Sequence, residues 1–449
     1  MLERSLVLKL KLSRFNLITN HNDDLVIMNT LYKSIFKSCN PEVNRFIRNY
    51  DSCNTVVLSK FAEELVLALT SKRILVPYNQ DELKIADMRY YQMVYSNNLM
   101  VSTIIPTTKC NFKCVYCYED DNQSTMTQEI AQGIVRYYAQ TLPKFKHSII
   151  NWYGGEPLLA LDTVLYIMNK VKKICQQNRT VLLGSITTNG SLLTVNKMNL
   201  LLDAGVNMFQ ISIDGDENLH NKQRPLKNGA DSYQIILNNL MGIRDQIKNR
   251  RFEITLRINI SKEIDRQRIK ILDDLGAQFA NNPRFTMGFE WIRNWGGEIN
   301  EDIVTTAEIT RNWINEASKR KIRCNDILAN NCGIEYCDSC RKHGYFIDVD
   351  GSLKKCSIAI YDKKYKDVNH VGQISNSGRV TLDEDKEAKW VCRDNPGNKC
   401  LSCVIYPMCM SVNCPLATQI QKNKICMPIK NIIPDLIGNR AEFVKYDFT

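Results

Sequence analysis

Between residues 100 and 292 the sequence repeats one pattern six times. The apolar runs MVSTIIP, SIINWYGG, VLLGSITTNG, NMFQISIDG, RFEITLRINI and RFTMGFEWI have strand length. Helical stretches such as EIAQGIVRYYAQTL, LDTVLYIMNKVKKICQQN and SYQIILNNLMGIRDQIKN lie between them. Strands that alternate with helices pair in parallel, because a parallel neighbour needs a crossover connection. The pattern predicts an α/β fold with a partial (β/α)6 barrel over residues 96–325. In such a barrel the strand C-termini and the loops after them carry the chemistry.

The flanks read differently. Residues 1–95 form a small α+β module: RSLVLKLKL, FNLIT and DDLVIMNTL suit short strands, VLSKFAEELVLALTSKR a helix, and ILVPYNQDELKIAD a strand leading into a helical linker. Residues 326–449 lose the periodicity and gain cysteines, with one hairpin-like piece, FIDVDGSLKKC, turning at Asp350-Gly351. No stretch is apolar for long enough to span a bilayer, and the start lacks the apolar core of a signal peptide, so a cytoplasmic protein without a membrane partner is expected. The net charge of +11 favours an acidic partner or simple solubility. No run of Lys and Arg interleaved with aromatics tracks a nucleic acid, so none is expected as partner.

The 17 cysteines are unevenly placed: Cys110, Cys114 and Cys117 lie within one loop after the first barrel strand, and eleven more fall between Cys324 and Cys426. In a reducing compartment such clusters read as metal ligands rather than disulfides. Three thiolates on one loop leave a tetrahedral zinc one ligand short, and an iron–sulfur cube one iron open.

CxxxCxφC with φ aromatic, here Cys110, Cys114, Tyr116 and Cys117, resembles the radical S-adenosylmethionine (SAM) superfamily. The resemblance implies a 4Fe–4S cluster held by Cys110, Cys114 and Cys117, with SAM on the open iron. One electron then cleaves the sulfonium, and the 5′-deoxyadenosyl radical abstracts hydrogen from an unactivated carbon. YGGEP, with Gly154, Gly155 and Glu156, resembles the family's GGE motif beside the SAM amino group. TTNG (Thr188, Asn189) and SIDG (Ser212, Asp214) resemble loops that line the SAM site, alongside Tyr116. HNKQR places Arg224, with His220 as a weaker candidate, where the family has a basic residue near the SAM carboxylate. Along the fifth strand Arg257 and Asn259 are expected to point oppositely, so that one of them, with Arg257 the candidate, faces the interior.

Cys340-x10-Gly351-x4-Cys356, Cys400-x2-Cys403-x5-Cys409-x4-Cys414 and Cys426 resemble the SPASM extension of radical SAM enzymes, with four residues where that family has three between Cys409 and Cys414. This implies two auxiliary 4Fe–4S clusters. One would use Cys340, Cys356, Cys414 and an upstream cysteine, Cys337 in preference to Cys332. The other would use Cys400, Cys403, Cys409 and Cys426. A zinc ribbon is the competing reading of these CxxC pairs.

Radical SAM/SPASM sequences resemble peptide- and protein-modifying enzymes, many with an N-terminal winged-helix-like module that takes a leader peptide as an added strand. The resemblance implies a maturase that forms a thioether in a ribosomally synthesised precursor peptide and draws electrons from an external donor such as flavodoxin or ferredoxin. The alternatives are a formylglycine-forming sulfatase-maturing enzyme, or a peptide maturase that forms carbon–carbon crosslinks or epimerises.

Overall fold

The structure is a computed structural model that describes residues 9–50, 60–119, 122–294, 303–325, 336–412, 414–423, 426–442 and 444–447. Its centre is a run of six parallel strands in chain order: β6 (Leu99–Ile104), β7 (His147–Trp152), β8 (Val181–Thr188), β9 (Val206–Ser212), β10 (Glu253–Ile260) and β11 (Phe285–Trp291). Alternation divides each strand between two environments. Ile150, Trp152, Ile186, Ile211, Ile254, Leu256 and Ile258 are fully buried in the main core. The intervening positions carry Asn151, Ser185, Thr187, Gln210, Thr255 and Thr286, which line a cavity of about 620 Å³. A closed barrel fills its interior with branched apolar side chains; this one is hydrogen-bonding on the inside.

The helices start where the sequence supplies an oxygen to cap them. Thr127, Thr194, Asp216, Asp231 and Ser261 each accept a backbone N–H of the first turn. These caps set the length of the loops after the strands. At the far edge, Met287 donates to Arg323 O at 2.9 Å and Asn325 donates to Met287 O at 2.9 Å, so residues 323–325 cover the open side of β11.

The opposite edge is extended. β12 (Gly344–Ile347) pairs in parallel with β6, and β13 (Ser352–Lys354), β14 (His370–Ile374) and β15 (Val380–Leu382) follow antiparallel, which makes one sheet of ten strands. The hairpin expected at Asp350-Gly351 joins β12 to β13, with Gly351 at a left-handed φ of +79°.

In the N-terminal part β1 (Leu10–Leu12) pairs with β5 (Leu75–Pro77), and β2 (Asn16–His21), β3 (Asp24–Asn29) and β4 (Ile35–Ser38) form a meander. β3 is buried on both faces. Leu25 and Ile27 pack with Val43, Ile47, Leu65 and Leu69 of two helices, Pro41–Arg48 and Lys60–Ser71. Val26 and Met28 belong to the main core, on the side of helix Ile433–Ala441. β4 and helix Pro41–Arg48 were not anticipated from sequence.

Candidate functional site

The loop after β6 carries Cys110, Cys114, Tyr116 and Cys117, and it is strapped down from three sides. From the GGE turn, Gly155 donates to Thr107 O (3.2 Å) and Glu156 to Lys109 O (2.8 Å). Lys113 donates to Pro225 O, Val115 to Gln223 O and Lys227 to Asn111 O, all within 3.0 Å. From β8, Asn189 Nδ2 donates to Asn111 Oδ1 (2.8 Å), and Asn111 Nδ2 donates to Ser191 Oγ. The two glycines are required by contact. Gly154 has φ +106°, and a Cβ on Gly155 would stand 2.3 Å from Lys109 O.

Glu156 is fully buried. Its carboxylate accepts from Thr188 Oγ1 (2.7 Å), Asn189 N (2.8 Å) and Leu158 N (3.0 Å) and so joins the ends of β7 and β8; burial pushes its carboxyl up, against the pull of these bonds. Ser212 is buried opposite Arg257 in the β9–β10 ladder.

A second buried polar group centres on Asp214. Its carboxylate accepts from Tyr116 Oη, from Asn259 N (2.7 Å) and from Asn259 Nδ2 (3.2 Å), and it pairs with Arg224 at 3.7 Å. Arg224 also donates to Tyr116 Oη. Burial pushes Asp214 up while the Arg224 charge pulls it back. Arg224 Nε finds no acceptor among the described residues, a spare buried donor of the kind a ligand carboxylate satisfies. His220 is neutral and structural. Its Nδ1 accepts the Asp214 N–H at 3.0 Å, and burial holds its pKa down to about 3.

Arg257 and Asn259 do not point oppositely. Arg257 Nε donates to Asn259 Oδ1 at 2.9 Å. Residues two apart on a strand share a face, and that periodicity corrects the expectation.

Tyr118, Glu119, Tyr153 and Tyr361 were missed from sequence. Tyr118 and Tyr153 share a 2.5 Å hydrogen bond, Tyr361 Oη donates to Glu119 Oε2 at 3.5 Å, and burial raises the Glu119 carboxyl to about 7. The available signal was adjacency: Tyr118 follows Cys117, and Tyr153 precedes the GGE motif.

The donor chemistry fits a thiolate-bound cluster. Cys110, Cys114 and Cys117 act electrostatically on one another, and burial pushes the thiols up, to about 11 for Cys110 and about 12 for Cys117. A soft positive group would relieve three crowded thiolates in this setting. Among the described residues no three His, Cys, Asp or Glu side chains stand close enough to hold a single ion. In the C-terminal part Cys337, Cys340, Cys356 and Cys414 come together, each within electrostatic reach of at least one other. Cys332 lies outside the described residues. Cys400, Cys403 and Cys409 are half-buried and Cys426 is exposed, with Cys400 and Cys403 bracketing one helical turn.

The sequence pattern of the Radical SAM superfamily matches residues 104–275. Over 112 residues the chain is 35% identical to a probable GTP 3′,8-cyclase of Methanocaldococcus jannaschii, covering 24% of this chain and 34% of that protein. Over 211 residues it is 23% identical to a serine-type anaerobic sulfatase-maturating enzyme of Klebsiella aerogenes, covering 45% and 48%. The chain thus spans between a third and half of the length of these curated relatives. In fold it is similar to native anSMEcpe with bound AdoMet and Cp18Cys peptide, with TM-score 0.57, 15% identity, and coverage of 77% of this chain and 97% of that one. The chain therefore carries a radical SAM superfamily domain, running from the end of β6 into the helix after β10.

Proposed function

We propose that this chain is a radical SAM maturase that forms a thioether crosslink in a ribosomally synthesised peptide. The observation that carries the reading is a cavity of about 620 Å³ in which the amides and hydroxyls of Asn151, Ser185, Thr187, Gln210, Thr255 and Thr286 stand beside apolar Ile186, Met208 and Phe209 and the charged Glu253 and Arg323, able to take a side chain together with its flanking peptide groups. A fold relative that binds both AdoMet and a peptide supports the same substrate class.

Cys110, Cys114 and Cys117 would hold the 4Fe–4S cluster. Such a cluster, when bound, supplies the electron that cleaves SAM to the hydrogen-abstracting radical. Glu156, Thr188 and Asn189 would orient the amino-acid end of SAM, and the spare Arg224 Nε would bind its carboxylate. Tyr116, Asp214 and Asn259 fix the cysteine loop against β9 and β10, so its position is set before any ligand arrives. Ser212 and Arg257 line the same end of the barrel. Cys337, Cys340, Cys356 and Cys414 would hold one auxiliary cluster, and Cys400, Cys403, Cys409 and Cys426 a second. These would accept the electron left after hydrogen abstraction, or bind the substrate thiolate. An external flavodoxin or ferredoxin would supply the first electron. Among the described residues no helix is long and apolar enough to cross a membrane.

The test is anaerobic purification with iron and sulfide assayed together, followed by turnover with a cysteine-containing precursor. Three filled clusters give ~12 irons per chain and matching sulfide, and thioether formation gives a product lighter by two hydrogens that resists thiol alkylation. Full iron with an alkylatable product would refute the thioether. The sulfatase-maturase likeness favours a second reading, oxidation of a Cys or Ser to formylglycine. In that case the full chain turns over a short peptide that carries only the Cys or Ser motif and no leader.

A further inference from the structure

Arg257 is a charge on the inner face of the barrel to which the site gives no counter-ion. Strand alternation puts it on the face of Glu253 and Thr255, which line the cavity, and one step nearer the C-terminal end of β10. In the ladders it stands between Ser212 of β9 and Gly288 of β11. Both neighbours are small, so those two strands put little beside its half-buried side chain.

The guanidinium is also aimed. Its Nε donates to Asn259 Oδ1 at 2.9 Å, and Asn259 Nδ2 in turn donates to Tyr116 Oη (3.0 Å) and Asp214 Oδ1 (3.2 Å). One edge of the fork is fixed in this way. Among the described residues neither Nη atom meets an acceptor, and no carboxylate pairs with Arg257. The carboxylates nearby are engaged with other arginines: Asp214 pairs with Arg224 at 3.7 Å, and Glu290, opposite Asn259 in the β10–β11 ladder, reaches Arg293 at 3.9 Å. Arg293 lies within electrostatic reach of Arg257, and two like charges that close together favour an anion between them.

A guanidinium with an open fork is matched in shape and charge by a carboxylate, which accepts two parallel N–H bonds. SAM brings one carboxylate of its own, for which Arg224 Nε is the spare donor. We propose that Arg257 is a specificity-determining residue that receives the side-chain carboxylate of an Asp or Glu in the substrate peptide, with the adjoining segment in the cavity. Naming a peptide as the bearer of that carboxylate rests on the maturase reading. The aimed guanidinium does not.

The probes are two short acetylated peptides with an attached fluorophore, each with one Cys and, two residues on, either Asp or Asn. They are added to the full chain, reconstituted anaerobically and saturated with SAM, with fluorescence anisotropy as readout. The Asp probe should bind at least tenfold tighter than the Asn probe. Arg257→Gln should bring the two within twofold, and Arg257→Lys should keep a smaller preference for the acid, because the charge stays and the fork is lost. With SAM at saturation, equal binding of the two probes would leave Arg257 to the SAM carboxylate or to no carboxylate, and overturns the proposal. Discrimination that survives Arg257→Gln overturns it too, as does an Asp probe that fails to saturate at millimolar concentration. Turnover is not involved, so discrimination without a crosslinked product upholds this assignment while counting against the thioether. If the variants do not fold, phenylglyoxal labelling of the unmodified chain is followed at Arg257 by mass spectrometry. The Asp probe at saturation should slow that labelling at least tenfold and the Asn probe should not; equal labelling with both overturns the proposal.

Discussion

Acidification should destabilise this protein through one histidine. His220 is fully buried on helix Glu217–Gln223. Its Nδ1 accepts the Asp214 N–H, so the ring proton sits on Nε2, which meets no acceptor among the described residues. Burial, and then the Arg224 charge, hold its pKa down to about 3, against a weaker pull from Asp231. An unfolded His takes up its proton near pH 6.5, whereas this one stays neutral until about 3. The unfolded state therefore binds more protons throughout that window, and stability falls as pH drops through it. Each unit costs about 1.4 kcal/mol, so the loss between about pH 7 and pH 5 is about 2 kcal/mol from this residue alone. The assay is urea denaturation of the metal-free protein at the two pH values, for the parent and for His220→Gln, whose side-chain oxygen can still accept the Asp214 N–H. Carboxylates titrate in both proteins and cancel in the difference. The parent should lose about 2 kcal/mol more than the variant. Parallel profiles would refute the assignment of a neutral, buried imidazole.

Two further perturbations test the framework of the site. Asp214→Asn leaves Arg224 buried beside a neutral partner and should cost about 3–5 kcal/mol in chemical denaturation. Adding Arg224→Met should recover more than half of that, and strictly additive costs would show that the pair is not coupled. Gly155→Ala places a methyl 2.3 Å from Lys109 O. Because a backbone carbonyl cannot step aside as a side chain can, the cysteine loop must shift and iron retained after reconstitution should fall by at least half. Full retention would mean that the loop is not set by this turn.

The six barrel strands were legible because each is a run of β-branched and aromatic residues set off by a helix and a capping residue, so periodicity, length and punctuation agree. β4 was not legible. It is four residues long and contains two polar ones, Lys37 and Ser38, that become buried only because Asp24, Asp447 and neighbouring backbone meet them. The cysteine, GGE, TTN and SID stretches were visible as local motifs, but their assembly was not. The bonds from Tyr116 to Asp214 and from Asn111 to Asn189 join residues far apart in the chain, and no local pattern records such pairings. Arg257 and Asn259 show the reverse case: strand alternation was enough to put them on one face, and it was misapplied.

The way the sheet ends bears on how the C-terminal part meets the cysteine loop. A barrel of six strands has an open edge at β6, and β12 takes it in parallel, with Ile347 beside Ile104. Parallel addition brings the C-terminal end of β12 to the end of the barrel from which the cysteine loop departs; an antiparallel strand would have sent it to the opposite end. Beyond the antiparallel β13, Ser357 nevertheless hydrogen-bonds Tyr118, the neighbour of Cys117. From the far side Arg293, just past β11, lies within electrostatic reach of both Arg257 and Cys414. The C-terminal part thus meets the barrel by backbone pairing at β6 and by side-chain contacts from Ser357 and Cys414.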